Sequence, residues 1–335
     1  FKVAQLDNNS VKTYLINDNS LNEFVAGGQN IFLHSGLLIT ATDANQVIGV
    51  IAHETGHITG GHISRFSDGI QNATVMTLIG AILGAAAIDA GSADADMSLI
   101  LAGQHVGTRT FLQYSRTQES AADQAGLTFL EKSGQSGEGL IGFLEYLGDQ
   151  ELMSSRYRDP YASTHPVGSD RISKLRDRVE SSPYFRVKTP DDIEHEFKRL
   201  QAKLYGYLKP AYATLNKYPV GDNSVYARYA RAFAYHNQHD VAKALNELDK
   251  LLQQEPDDPF FWETKGQILF ENGQIEESIL PYRNAVKYLP DEPLIRVSLA
   301  QSLIATENND YLDEAQKNLE YAIAQDPQNA FAWHQ

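Results

Sequence analysis

Cysteine is absent from the 335-residue chain. Its absence excludes disulfides, thiol catalysis and cysteine-ligated zinc, and it is compatible with an oxidising compartment without establishing one. Basic residues are scarce: 28 Lys and Arg face 43 Asp and Glu, a formal net charge of −15. Nucleic acid, which wants a basic face, is thereby excluded as a main partner. No stretch reads as a clear membrane span. Residues 69–88 carry no charge, but Gln71, Asn72, Thr74 and Thr77 leave them short of the roughly 20 predominantly apolar residues a spanning helix needs. The Gly80 and Gly84 spacing decides nothing, because small residues pack helices closely in soluble proteins too. Residues 69–105 are expected to form a buried hairpin, or one in peripheral contact with a membrane, turning at Ala90 to Met97. The chain opens at Phe1 without a signal peptide and stops at Gln335 inside a repeating pattern, as a processed or trimmed product would.

What is present is concentrated in one run. Six apolar residues, Val47 to Ala52, lead into His53-Glu54-Thr55-Gly56-His57. Residues four apart share a helix face, so a helix here points the imidazoles of His53 and His57 at one metal ion. Glu54, one position round, is placed to act as a base on an attacking water. An all-round apolar lead marks a buried helix. Two histidines and a carboxylate are costly to bury unless a divalent cation satisfies them, and zinc suits nitrogen and oxygen ligands with one position left open. Asp43, with Gln46 three residues on, is the expected cap, and Gly60-Gly61 the expected end. His62, five residues after His57, falls off the metal face of such a helix and reads as a structural or solvated histidine.

HExxH alone is a moderate signal, and a third ligand downstream is what raises it. Glu119 and Asp123, four apart in Arg116 to Asp123, supply that pattern. One carboxylate can bind the metal while the other accepts the second ring N–H of a ligand histidine. The bland reading, a solvated helix face, is weakened by the apolar surroundings and by Ala125-Gly126-Leu127 just after.

HExxH followed by Glu119 in an ExxAD setting resembles the gluzincin metallopeptidases, specifically the HtpX/Oma-type family. Asn22 to Phe32, Ser35-Gly36-Leu37-Leu38, Ser163-Thr164-His165-Pro166 and Arg171-Ile172 are similar to further motifs of that family, over about residues 10 to 180. Gln46 departs from it, standing where an acidic residue often precedes the zinc helix, and so does Val25-Ala26 before Gly27-Gly28; neither touches a ligand. The resemblance implies one zinc ion held by His53, His57 and Glu119, with Glu54 as base and Asp123 holding the His53 ring. It gives His165 two roles, a fourth ligand that caps the zinc or a donor to the oxyanion. A histidine packed against a loop fixed by Pro166 is the third. Arg171 is a candidate partner for a carboxylate or substrate carbonyl, a plain surface salt bridge being equally open. Asp170-Arg171-Ile172 opens a helix with Ser169 as its expected cap. Val11 to Ile16 and Asn30 to Leu33 alternate like strands, and a gluzincin sheet edge would accept an extended substrate backbone.

The C-terminal half is periodic. Pro256, Pro290 and Pro327 close three segments 34 and 37 residues apart, and 34 is the tetratricopeptide period. Trp262, Gly266, Leu269, Tyr282, Ala285 and Pro290 fall on the motif positions of the middle copy. The three extra residues fall in Glu307-Asn308-Asn309-Asp310, between two helices, where an insertion is cheap. Repeats are expected at 225–258, 259–292 and 293–329, with another opening at 330 and a degenerate pair within 191–224. The expected architecture is an α+β gluzincin domain over 1–185, mostly helical with a small sheet, followed by an all-α tetratricopeptide-repeat array over 186–335. Such arrays present curved surfaces that bind peptides or partner proteins. This pairing resembles periplasmic members of the family that serve outer-membrane protein quality control. It implies a zinc endopeptidase acting on unfolded or misassembled proteins, its repeats docking a partner such as the outer-membrane assembly machinery. The competing reading is a chaperone or adaptor whose zinc site is capped and largely silent.

Overall fold

The computed structural model describes residues 1–7, 10–26, 28–62, 115–151, 165, 169–327 and 330–334. The hairpin expected over 69–105 lies outside the described residues, as do Gly27, Ser163-Thr164, Pro166 and the capping side chain of Ser169. Two compact units divide the chain, Phe1–Phe197 and Lys198–Gln335.

The first unit carries a three-stranded sheet: β1 (Lys12–Ile16), β2 (Glu23–Ala26) and β3 (Asn30–His34), in the order β1-β3-β2. β3 runs parallel to β1 and antiparallel to β2, so among the described residues β2 is an edge. Gly28, with φ of 100°, makes the reversal between β2 and β3 that an L side chain resists. Alternation then sorts the two faces. Tyr14, Phe32 and Phe24 stand opposite one another and stack at 5.1 and 4.9 Å. Ile31 and Leu33, on the other face, enter the core with Val50 and Ala52.

α1 (Ser35–Thr40) leads to α2 (Ala44–Thr59), which packs on β2 and carries the HExxH run. Asp43 caps α2 by accepting from the Gln46 backbone N–H at 3.0 Å. The Gln46 side chain reaches back to the Thr42 N–H at 2.9 Å, one residue earlier than in a reciprocal capping box. Residues 115–132 are helical and are called α3 here; α4 (Glu138–Glu151) and α5 (Ser169–Ser181) follow. α4 packs along α2, and the Asn45 amide ties them by donating to the Ser136 carbonyl and accepting from the Gly139 N–H.

The second unit is a series of paired helices. α6 (Asp191–Leu208) begins before the divide, and α7 (Ala211–Lys217) follows it. Three hairpins come next: α8 (Val225–Asn237) with α9 (Val241–Gln254), α10 (Pro259–Glu271) with α11 (Ile275–Tyr288), and α12 (Pro293–Ala305) with α13 (Leu312–Gln325). α14 (Ala330–His334) ends the described chain. Val225, Pro259 and Pro293 open the first helices 34 residues apart, and the extra residues sit between α12 and α13. The same contact recurs at the helices that open at 259, 293 and 330: Trp262 Nε1, Arg296 Nε and Trp333 Nε1 each donate to a proline carbonyl six residues back, Pro256, Pro290 and Pro327, at 2.7, 2.7 and 3.0 Å. Gly266 is needed for proximity, since a Cβ there would stand 2.8 Å from the Tyr282 ring. Among the described residues no helix is long and apolar enough to cross a membrane.

Candidate metal centre

Small residues let α2 and α3 meet backbone to backbone. A Cβ on Gly56 would lie 2.5 Å from the Ala122 carbonyl oxygen, and one on Gly126 would lie 3.1 Å from the Ala52 backbone. Gly56 follows Ala52 by four, and Gly126 follows Ala122 by four, so each helix offers one smooth stripe. That approach sets His53 and His57 of α2 against Glu119 and Asp123 of α3, all four buried.

The ring nitrogens His53 Nε2 and His57 Nε2 lie 3.1 Å apart. Glu119 closes the triangle, with Oε1 3.3 Å from His57 Nε2 and Oε2 3.5 Å from His53 Nε2. Four-coordinate zinc with bonds of about 2.0–2.2 Å separates its ligand atoms by about 3.3–3.6 Å, so two nitrogens and a carboxylate at these spacings come close to the donor set of such an ion. His165 joins from its loop, Nδ1 meeting Glu119 Oε2 at 3.0 Å and Nε2 standing 3.7 Å from Glu54 Oε1. One donor atom from each of His53, Glu54, His57 and His165 lies within 4.8 Å of the others.

Behind the histidines stands a second layer. Asp123 Oδ1 is 2.9 Å from His53 Nδ1, off the line of a well-directed hydrogen bond but close enough to act as a charge. Arg171 of α5 clasps Asp123 in a fork, Nε at 2.5 Å and Nη2 at 2.7 Å, and also reaches Glu119 with Nη1 at 3.1 Å. Arg171 therefore meets the carboxylates, the first of the two partner types expected for it.

Two residues that sequence reasoning passed over are here as well. His62 does not fall away from the site: its Nδ1 lies 3.0 Å from His57 Nδ1, with the rings edge to face. The expectation carried helical spacing to residue 62 across Gly60-Gly61, the end it had itself marked, whereas Gly61 turns at φ of 61° and folds residue 62 back. Glu23 of β2 is wholly buried, and neither of its oxygens has a hydrogen-bond partner among the described residues; the same holds for Glu54 Oε1. An acidic residue two positions before an inward Val25 was the available signal.

The electrostatics favour a cation. Burial works against charge on His53, yet Asp123 and Glu119 outweigh it and raise the imidazole to about 10. Burial also opposes ionisation of Glu119, but His165, His53 and His57 hold it well below the usual carboxylate range. Asp123 is lowered against burial by His53 and Arg171. Glu23 goes the other way: burial, with the Glu54 carboxylate adding, pushes it well above its ordinary value.

Comparison with known proteins agrees with this site. The chain is 28% identical over 308 residues to the beta-barrel assembly-enhancing protease of Yersinia pestis, and 28% identical over 318 residues to that of Escherichia coli K12. Each match takes in 88% of this chain, which spans 62% of the length of those relatives. It is also 31% identical over 174 residues to the metalloprotease YcaL of Escherichia coli, covering 51% of this chain and 62% of YcaL. A model of peptidase family M48 matches residues 2–179, more than half the chain and the whole of the HExxH neighbourhood, and the chain belongs to that family.

Proposed function

We propose that this chain is a zinc-dependent endopeptidase acting on unfolded or misassembled proteins. The observation that carries the reading is the meeting of His53 Nε2, His57 Nε2 and the Glu119 carboxylate, which offers one oxygen to each nitrogen, at spacings close to those around one tetrahedral ion. Glu119 is preferred to Glu54 as third ligand because its oxygens reach both Nε2 atoms, while Glu54 Oε1 is left for a proton. Bound there, zinc supplies Lewis acidity for polarising a peptide carbonyl and acidifying water.

The remaining chemistry belongs to the chain. Glu54 takes a proton from the attacking water and returns it to the leaving amine. The Asp123 carboxylate, 2.9 Å from His53 Nδ1, favours the proton on that nitrogen and so keeps the Nε2 lone pair facing the ligand position, and Arg171 holds Asp123 and Glu119 in place. His165 is the fourth group facing the ion, as ligand or as donor to the developing oxyanion. The β2 edge, packed on α2, is where an extended substrate adds as a strand, read mainly through its backbone.

The paired helices with their 34-residue spacing are read as tetratricopeptide repeats that bind a client or partner. By likeness to the beta-barrel assembly-enhancing proteases, we place the chain in the periplasm, in outer-membrane protein quality control with the assembly machinery as a partner. The domain limits stay as read from the sequence, a peptidase domain over 1–185 and a repeat domain over 186–335. A capped site in a chaperone or adaptor is the second reading, favoured by the buried His165 against Glu119 and Glu54.

Zinc-loaded chain incubated with casein, beside Glu54→Gln at equal zinc content, tests the proposal. Internal cleavage by the parent chain, slowed about 10²–10⁴-fold in Glu54→Gln, is expected. Zinc binding with no cleavage by either, and release of cleavage by His165→Ala, would move the conclusion to the capped state.

A further inference from the structure

We infer that His62 is a positioning residue for the metal centre, holding the His57 ring through an imidazole–imidazole hydrogen bond, and that Gly60-Gly61 is the device that delivers it. The inference rests on the metal reading above. If His57 presents Nε2 to a metal, its proton sits on Nδ1 and needs an acceptor, because a metal-bound histidine nearly always donates its other ring N–H. For His53 the group in that place is the Asp123 carboxylate, 2.9 Å from Nδ1. For His57 it is His62, whose Nδ1 lies 3.0 Å from His57 Nδ1 with the rings at 81° to one another.

A continuous helix could not make this contact. Five residues at 100° each would carry position 62 about 140° round from position 57. Gly61, at φ of 61°, reverses the chain after Gly60 and returns residue 62 to the metal side. The His62 backbone carbonyl then accepts from Gln118 Nε2 at 3.5 Å, next to Glu119. The two glycines have different duties. Gly60 has φ of −72° and ψ of −13°, which any L residue adopts, so conformation does not explain it. Proximity does. A Cβ there would stand 2.4 Å from His62 Nε2 and 2.7 Å from Cε1, because the His62 ring lies flat over Gly60.

Zinc affinity of the full chain, read by competition with a chromophoric chelator, tests this together with the unfolding midpoint in excess chelator. His62→Leu fills the space without an acceptor and should weaken zinc about 10- to 100-fold. His62→Asn sets an amide oxygen where Nδ1 stood and should stay within a few-fold of the parent. Gly60→Ala should weaken zinc by displacing the ring, while its unfolding midpoint holds or rises, and should add nothing in the His62→Leu background. Parent-like affinity in His62→Leu overturns the inference, as does His62→Asn as weak as His62→Leu, or a Gly60→Ala effect that adds to His62→Leu. If His62→Leu fails to fold, His62→Asn and Gly60→Ala decide: a weak His62→Asn or a parent-like Gly60→Ala overturns it. Failure of the metal reading looks different, with His57→Ala binding zinc as tightly as the parent.

Discussion

Arg231 in the helical hairpins and His53 in the HExxH helix are both fully enclosed, yet their surroundings are built on opposite plans. Arg231 donates through Nε and Nη2 to Glu247 at 3.0 and 3.3 Å, and through Nη1 to the carbonyls of Pro219 and Asp222 at 2.7 and 2.8 Å. Each of those contacts joins unlike partners and closes on itself. Around His53 the pairing stays open: its Nε2 stands 3.1 Å from that of His57, and the carboxyls of Glu23 and Glu54 carry oxygens that have no hydrogen-bond partner among the described residues. Buried polar groups that hold a fold arrive satisfied, because an unsatisfied one costs several times what a satisfied one contributes. A crowd of lone pairs is stable only if something positive stands among them. The contrast separates charge placed for structure from charge placed for a ligand.

Breaking one partner on each side gives the sharpest test. Glu247→Ala leaves Arg231 buried without its anion and should lower folding stability by about 3–5 kcal/mol, seen in urea unfolding, with zinc affinity unchanged. Loss of zinc affinity in that variant would dissolve the distinction. Asp123→Asn should do the reverse. Its main loss falls on zinc, weakened about 10- to 100-fold in chelator competition, because the neutral amide no longer holds the His53 tautomer.

How far the two plans could be read from the sequence differs for a physical reason. The hairpins repeat, so Pro256, Pro290 and Pro327 mark the copies, and each proline carbonyl accepts the same bond from the first helix of the next copy. The metal site is legible where residues share one helix face, as with His53 and His57, or Glu119 and Asp123. Legibility ends where the backbone leaves regular geometry. His62 looked misplaced because helical spacing was applied across Gly61, a residue that ends it. Arg171 was legible as a partner for a carboxylate, but its fork onto Asp123 depends on how α5 packs, which spacing does not encode. Glu23 was hidden by its own strand, where Phe24 and Val25 give no clean alternation to show which face is inward.

Proton linkage sharpens the comparison further. His53 is raised to about 10, so at neutral pH it holds a proton that zinc must displace. The His53 contribution should therefore make zinc affinity rise with pH up to about 10, with close to one proton released from His53 near pH 7. Glu119 and Asp123, held below the usual range, add none. Calorimetric titration in buffers of different ionisation enthalpy reads the proton directly. Asp123→Asn should release fewer, since one of the two carboxylates that raise His53 is gone. Equal release from parent and variant would show that Asp123 does not bear on His53.

The smallest effect concerns Glu23, for which burial and Glu54 outweigh the help of His53. Burial, reinforced by Glu54, raises it well above its ordinary 4.5. The folded chain thus holds this proton more tightly than the unfolded chain does. From about pH 4.5 upward the unfolded state gives the proton up and the folded state does not, so stability declines as pH rises towards the folded value. Glu23→Met keeps the length of the side chain and removes both unpartnered oxygens. It should stabilise the chain by about 1 kcal/mol at pH 8, with the gain shrinking towards zero near pH 4. Thermal midpoints of parent and variant across that range check it. A gain independent of pH would assign the cost to unmet hydrogen bonds alone. A loss at pH 8 would mean that Glu23, like its neighbours, is there for the cation, and that the crowd around His53 extends to β2.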